Sequence, residues 1–383
     1  MGFVGRFCRI FCTVVVPVFI LSFALLIGWF KQEVIPEGRF FATVIPMVKG
    51  KSPPSIVGHG KMEGTPPVPD DMMPEPRPEN EMFVELPGGY KMPQNGIGMC
   101  CRPTAYDDVL VERTVLWYLL MGGRTIDTAH VYLNHEAIGR GIKEAIRRGV
   151  PRNEIFVTTK IYPAFFGYKN ALKMIPLFLE ELELEYLDLV IMHAPVRFPG
   201  FTFTSEECSE MKLSLKECRQ ETFKGMSEMR KQGLVRNVGV SNFASGPLLE
   251  LLEVDGIAPI ANNQIQYNPW SPQETLDTIA FCRENNISIT AYNSLGGLQH
   301  EKVHTIEVLN SLSEKYQKRH SQLMLRWALQ VGAAIIPGTG NPKHMRENLG
   351  IYSFEIAQED MEALASLHTD GTANDFIVLK PFD

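Results

Sequence analysis

Eight short apolar segments alternate with longer amphipathic stretches along most of the chain, and this alternation strongly constrains the fold. Strands alternating with helices form a parallel sheet, and eight such units over about 250 residues close into a barrel. We therefore predict an α/β fold, a (β/α)8 TIM barrel, with a β-hairpin turning at Gly88-Gly89 ahead of its first strand. The first helix should bury Val109, Val115, Leu116, Leu119 and Leu120. Strands are predicted near residues 97–101, 124–129, 155–160, 186–193, 235–241, 262–267, 287–293 and 333–338.

Polar residues stand where successive predicted strands end. Asp127, Lys160 and His193 lie at three such ends, and Tyr132 follows in the loop after Asp127. The carboxyl ends of barrel strands gather on one face, so these side chains should meet. Each has an ordinary explanation when taken singly: a surface ion pair for Lys160, a core histidine for His193, loop packing for Tyr132. A phenol of pKa about 10 needs a nearby cation to act as an acid at neutral pH, and Lys beside a carboxylate supplies one.

Seven ordered segments resemble the aldo-keto reductase family from about Met82 to Leu367. They read GGRTIDTAHVYLNHEAIGRGI, IFVTTKI, LDLVIMHAP, GLVRNVGVSNF, NNQIQYNP, ITAYNSLGG and IIPGTGNPKHMREN. By position, the resemblance implies that Tyr132 is the general acid and that Lys160 and Asp127 tune it. His193 would orient the carbonyl of a small-molecule substrate.

The resemblance also implies a nicotinamide-cofactor site, for which we expect NADPH, with NADH as an open alternative. Ser241, Asn242 and Gln264 would bind the carboxamide, and Tyr292 would stack on the ring. Helix capping and barrel packing are the simpler explanations of Asn242 and Tyr292. The remaining expected cofactor contacts are Leu295, Gly338, Thr339, His344, Glu347 and Asn348.

The phosphate-binding end departs from the family pattern. Members commonly carry Lys-Ser after the last strand and an Arg further on, which bind the 2′-phosphate of NADP. Here the matching positions are Gly338, Thr339 and His344, and the neighbouring cations are Lys343 and Arg346. The loss of charge where a phosphate is expected makes weakened selectivity between the two cofactors a hypothesis.

The substrate mouth lacks the family's usual tryptophans. The residues read there are Cys100, Tyr162 and Ala194, with Phe201 and Phe203 in a following loop that could rebuild an apolar wall. The tail after Leu367 is short. We therefore predict a carbonyl reductase acting broadly on aldehydes or ketones. The alternative is a membrane-tethered regulatory module that binds a nicotinamide cofactor with little turnover.

The amino terminus differs from the rest of the chain. Ile10–Phe30 carries no charged residue and is long enough to span a bilayer, so residues 1–30 are predicted to form a single-pass membrane anchor, with a cleaved signal peptide as the rival. Ten prolines between Lys31 and Asn80 predict an extended linker over 31–80. The barrel would occupy 81–370 and a tail 371–383. An inside amino terminus would expose the sequon at Asn286 to glycosylation.

Charge and cysteine content exclude other classes of function. A net charge of -7 and a pI near 5.8 offer no basic surface for nucleic acid. The seven cysteines lack the spacing of zinc ligands, so no metal is expected. Whether Cys208 and Cys218 are bridged or free stays open from sequence, and the barrel is expected to be monomeric.

Overall fold

Eight parallel strands form the centre of the molecule in the computed structural model, which describes residues 64–195, 205–296 and 305–368. Each strand pairs with its neighbours in chain order. A bridge between Asn95 and Ile335 brings the last strand back to the first, so the sheet closes into the predicted barrel. The strands are β3 Gly96–Gly98, β4 Thr125–Asp127, β5 Phe156–Ile161, β6 Leu187–Met192, β7 Val235–Ser241, β8 Ile260–Gln266, β9 Ser288–Tyr292 and β10 Ala334–Ile335, numbered after the hairpin strands β1 Phe83–Leu86 and β2 Tyr90–Pro93.

The predicted hairpin covers one end of the barrel. Its strands pair antiparallel, and both Gly88 and Gly89 adopt positive φ, at 82° and 81°, a backbone region that glycine enters at little cost. Leu86 and Met92 pack with barrel residues of β5, β6, β8 and β10 in a small apolar cluster. The hairpin therefore closes the barrel at the end where the strands begin and leaves the opposite face for a site.

Helices surround the barrel, and the first shows one error in the sequence prediction. Val115, Leu116, Leu119 and Leu120 are buried as predicted, but Val109 is 54% exposed. The helix begins at Asp108, so Val109 lies on its outward face in the first turn. The helices are α1 Asp108–Leu120, α2 His135–Arg147, α3 Tyr168–Leu182, α4 Glu206–Glu210, α5 Leu215–Lys231, α6 Ser245–Leu252, α7 Gln273–Glu284, α8 Glu307–Tyr316, α9 His320–Gln330, α10 Pro342–Leu349 and α11 Gln358–Ala365.

Residues 64–80, here called the N-terminal arm, run extended over the outside of the barrel. The indole nitrogen of Trp117 in α1 donates to the Pro66 carbonyl oxygen at 3.0 Å. Arg148, just after α2, donates to the Pro69 carbonyl oxygen at 2.7 Å. The prolines keep this part of the predicted linker out of regular structure, and these hydrogen bonds attach it to the barrel.

Two pairs of cysteines are bridged. Cys208 in α4 is joined to Cys218 in α5, with the Cα atoms 5.6 Å apart, and both are buried. Cys100 is joined to its neighbour Cys101, a pair that the sequence analysis did not predict. Cys282 is a buried free thiol.

Several sequence predictions fall outside the described residues. These are the anchor at Ile10–Phe30, the linker up to residue 63, the loop residues Phe201 and Phe203, and the tail 371–383. Among the helices that the structure does describe, none combines the length and apolar character that a bilayer crossing requires.

Candidate active site

A buried ion pair forms the base of the predicted catalytic site. The Lys160 ammonium donates to Asp127 Oδ1 at 2.6 Å and to the Thr128 carbonyl oxygen at 2.8 Å. Gln264 donates to the other carboxylate oxygen of Asp127 at 2.7 Å. Asp127 ends β4 and Lys160 lies near the end of the neighbouring β5, so adjacent strands bring the pair together. These three hydrogen bonds fix the positions of the Lys160 ammonium and the Asp127 carboxylate.

Tyr132 and His193 converge above this pair. A short 3-10 turn, His130–Tyr132, follows β4 and brings the phenol back over the barrel. Its hydroxyl lies 3.3 Å from Nε2 of His193, which directly follows β6, and the two rings meet edge to face with centroids 5.6 Å apart. The Lys160 ammonium lies 5.2 Å from the centre of the Tyr132 ring. The four predicted catalytic residues are therefore contiguous.

Burial controls the protonation of this site. It raises the pKa of Tyr132 well above its usual range, and the charge of Asp127 adds to the effect. Burial also lowers the pKa of His193 well below its usual range, helped by the Lys160 charge. The pKa of Lys160 is lowered by burial, against the opposing pull of Asp127. At neutral pH the site thus presents a phenol and a neutral imidazole.

One expectation about Tyr132 is corrected. The sequence argument expected Lys160 to make the phenol more acidic, but the pKa of Tyr132 is raised. The main cause is burial, which shields the phenol from water, and the nearby Asp127 charge adds to the shift of the pKa. In this state the tyrosine holds its proton.

The residues predicted for the carboxamide form one hydrogen-bonded group beside the quartet. Asn242, in the left-handed region at φ 63°, donates to Ser241 Oγ and to the His193 carbonyl oxygen, both at 3.0 Å. Tyr292 donates its hydroxyl proton to Asn242 Oδ1 at 2.8 Å. Gln264 has a role that the sequence did not suggest, because its amide nitrogen binds Asp127. All four residues lie together, and their contacts with a cofactor stay a prediction.

A cavity of about 550 Å³ lies next to the end of β10. It is lined by all six remaining predicted cofactor residues: Leu295, Gly338, Thr339, His344, Glu347 and Asn348. Its other lining residues were not predicted: Ser313, Arg319, His320, Ser321 and Pro337. In a barrel, helices start on the face where strands end, so the start of α9 was a signal that could have pointed to Arg319. The size of the cavity and the Arg319 guanidinium on its wall suit an anionic nucleotide.

The substrate mouth combines the predicted small residues with one aromatic wall. The Tyr162 ring lies edge to face with His193, at 6.0 Å between centroids, and Ala194 is buried. Cys100 is bridged to Cys101 and cannot act as a free thiol. The described part of the mouth is therefore less aromatic than the family pattern, in line with the sequence.

Comparisons with known proteins agree with this geometry. The sequence pattern of the Aldo/keto reductase family matches residues 94–369. The chain is 33% identical to a 9,11-endoperoxide prostaglandin H2 reductase of Trypanosoma cruzi, over 76% of this chain and 93% of that protein. It is 32% identical to an NADPH-dependent D-xylose reductase of Meyerozyma guilliermondii, over 75% and 94%.

A solved structure extends the likeness to three dimensions. The Bombyx mori aldo-keto reductase, determined in complex with NADP, superposes with a TM-score of 0.65 and 27% identity, covering 79% of this chain and all of that one (100%). Sequence pattern, relatives, fold and the contiguous quartet lead to one conclusion. The chain belongs to the aldo/keto reductase family.

Proposed function

We propose that this chain reduces aldehydes or ketones to alcohols with hydride supplied by NADPH, and that Tyr132 donates the proton. The observation that carries the proposal is the convergence of the Tyr132 hydroxyl and His193 Nε2, 3.3 Å apart, over the buried Lys160–Asp127 pair. Two hydrogen-bonding groups so placed can share one carbonyl oxygen. The relatives named as reductases support the class of reaction.

The protein's part in the reaction is to hold the carbonyl and move one proton. Tyr132 and His193 donate hydrogen bonds to the carbonyl oxygen, which strengthen as negative charge develops there. The phenolic proton then passes to that oxygen and leaves a phenolate. The Lys160 ammonium stabilises this phenolate across the 5.2 Å to the ring, where a neutral group could not. Solvent restores the proton to Tyr132 after the alcohol leaves.

The cofactor would lie across both parts of the site. Ser241, Asn242 and Tyr292 form a hydrogen-bonded group that would bind the nicotinamide and lie against its ring. The cavity beside β10 would take the adenosine end. In this proposed arrangement the nicotinamide ring would lie near Tyr132 and His193, and the anionic end of the cofactor would lie away from the buried Asp127.

The test follows NADPH absorbance with the full-length chain and a panel of aldehydes. Replacing Tyr132→Phe should lower kcat by about 10²–10⁴-fold, because general acid catalysis contributes that much, and should leave NADPH affinity nearly unchanged. Tyr162→Phe is the matched control, since its ring also contacts His193, and it should retain turnover.

Two results would contradict the proposal. Wild-type turnover in Tyr132→Phe would remove Tyr132 as the acid. Tight NADPH binding with no turnover of any aldehyde would instead favour the regulatory binding module.

A further inference from the structure

Gly338 lies in the cavity beside β10 at the position where this family commonly carries lysine, and the Arg102 side chain packs against it. A Cβ atom added to Gly338 would lie 2.8 Å from Nη1 of Arg102. That guanidinium is held in the loop after β3, where it donates to the Gly98 carbonyl oxygen at 2.5 Å and to Thr104 Oγ1 at 3.1 Å. A longer side chain at position 338 would have to displace it. Arg102 already donates to these two oxygens and does not line the cavity, so the cation for a phosphate there must be a different residue.

Arg346, one of the two replacements suggested by sequence, is engaged outside the cavity. Both of its terminal nitrogens donate to the Glu75 carboxylate of the N-terminal arm at 2.8 Å. A bidentate pair of this kind uses the two N–H donors of the guanidinium that would otherwise bind phosphate. Arg346 is also absent from the residues that line the cavity.

Arg319 lines the cavity and is only weakly engaged. It is the residue before α9, and its side chain is 54% exposed. Its Nη1 lies 3.5 Å from Glu347 Oε2, a distance that orients the guanidinium without a full hydrogen bond. His344 lines the same cavity from α10, and His320 and Ser321 line it from the first turn of α9.

Charge and geometry favour a phosphate at this place. A guanidinium presents paired donors that match phosphate oxygens. Both α9 and α10 begin at this cavity, and the amino end of a helix attracts anions. A phosphate dianion would offer Arg319 two short bonds in place of the long contact with Glu347.

We propose that Arg319 binds the 2′-phosphate of NADPH and sets the preference for NADPH over NADH. The proposal rests on the proposed function, because it requires that the cavity hold the adenosine end of the cofactor. It assigns to the start of α9 the selectivity that the family usually places after the last strand.

The experiment measures binding of cofactor fragments to the full-length chain by calorimetry. Adenosine 2′,5′-bisphosphate carries the 2′-phosphate, and adenosine 5′-monophosphate lacks it. Arg319→Gln should weaken binding of the bisphosphate by about tenfold or more, since a charge-assisted bidentate contact is lost, and should leave binding of the monophosphate unchanged. Arg319→Lys should restore part of the affinity, because it restores the positive charge but not the paired donors of the guanidinium.

Arg346→Gln is the matched control, and it should bind both fragments as the wild type does. Equal binding of the bisphosphate by wild type and Arg319→Gln would overturn the proposal. So would a wild type that does not distinguish the two fragments, or a loss of discrimination in Arg346→Gln alone. Fragment binding needs no turnover, so the two proposals can fail separately. If the wild type reduces no aldehyde but Arg319→Gln still loses the preference for the bisphosphate over the monophosphate, the proposed function is refuted and the role of Arg319 stands.

Discussion

At the scale of single residues, removal from water keeps Tyr132 protonated and His193 neutral, while the Asp127 charge opposes the loss of the proton from Lys160. Tyr132, Lys160 and His193 all have a pKa shifted toward the neutral form, with burial as the main cause. A buried ion pair is a weak source of stability, because desolvation offsets most of the attraction. The Lys160–Asp127 pair is therefore better understood as a positioned charge beneath the acid than as a stabilising contact.

Two buried histidines should make the protein sensitive to mild acid. Burial lowers the pKa of both His193 and His135 in the folded state, while the unfolded chain takes up protons near pH 6.5. Below that pH the unfolded state binds more protons, so the free energy of unfolding should fall by at most about 1.4 kcal/mol per pH unit for each histidine. Urea denaturation between pH 7.5 and 5.5 measures the slope.

His193→Gln supplies the control for that slope. Without this imidazole, the variant should lose less stability than the wild type over the same pH interval. Identical slopes in the two proteins would show that His193 is not held neutral by folding.

At the level of elements, the N-terminal arm is a structural part of the barrel. Val68 and Met72 pack against the core, and Thr65 is buried with its hydroxyl 2.9 Å from that of Thr114. The arm forms no strand. It is held by the Trp117 and Arg148 side chains, which donate to its carbonyl oxygens, and by the Glu75 backbone nitrogen, which donates to the Leu120 carbonyl oxygen at 2.7 Å.

Deleting the arm should therefore destabilise the barrel. A chain that begins at Glu81 should be less stable than one that begins at Gly64 by about 2 kcal/mol, or roughly 3 °C in Tm for a chain of this size, because two partly buried apolar side chains and their partners become exposed. Glu75→Gln, which breaks only an exposed ion pair with Arg346, should change stability by less than about 1 kcal/mol. Equal Tm values for the two shortened chains would mean that the arm contributes nothing.

The elements also show what sequence could and could not predict. The strands and the hairpin followed from periodicity, and the positions of Asp127, Tyr132, Lys160 and His193 followed from strand ends, which are local signals. The roles proposed for these four residues came from the family resemblance. The arm could not be predicted, because proline-rich chain has no period that indicates packing. The sequence also could not show which arginine lines the cavity beside β10. That depends on tertiary contacts, such as the pairing of Arg346 with Glu75, which leave Arg319 at the cavity. The new role of Gln264 arises from contact across the barrel with Asp127.

For the whole molecule, we infer that the barrel works in an oxidising compartment. The buried bridge between Cys208 and Cys218 is of a kind that persists where thiols are not kept reduced. Asn286 is exposed in the turn after α7 and carries the Asn-Ile-Ser sequon. An amino-terminal anchor with Arg6 and Arg9 inside would deliver the barrel to such a compartment. The bridge and the exposed sequon are features of the described residues, whereas the anchor is a prediction from the sequence, and all three agree with this proposed placement.

Glycosylation of Asn286 tests this placement. When the full-length chain is expressed in a secretory host, glycosidase treatment should increase its gel mobility, because an exposed sequon in the lumen accepts a glycan. Asn286→Gln and Ser288→Ala should each abolish the shift. Asn285→Gln is the matched control, since Asn285 is the neighbouring exposed amide and begins no sequon, so its shift should remain. An unmodified wild-type chain in host membranes would place the barrel on the cytosolic side, where the Cys208–Cys218 bridge would be expected to open.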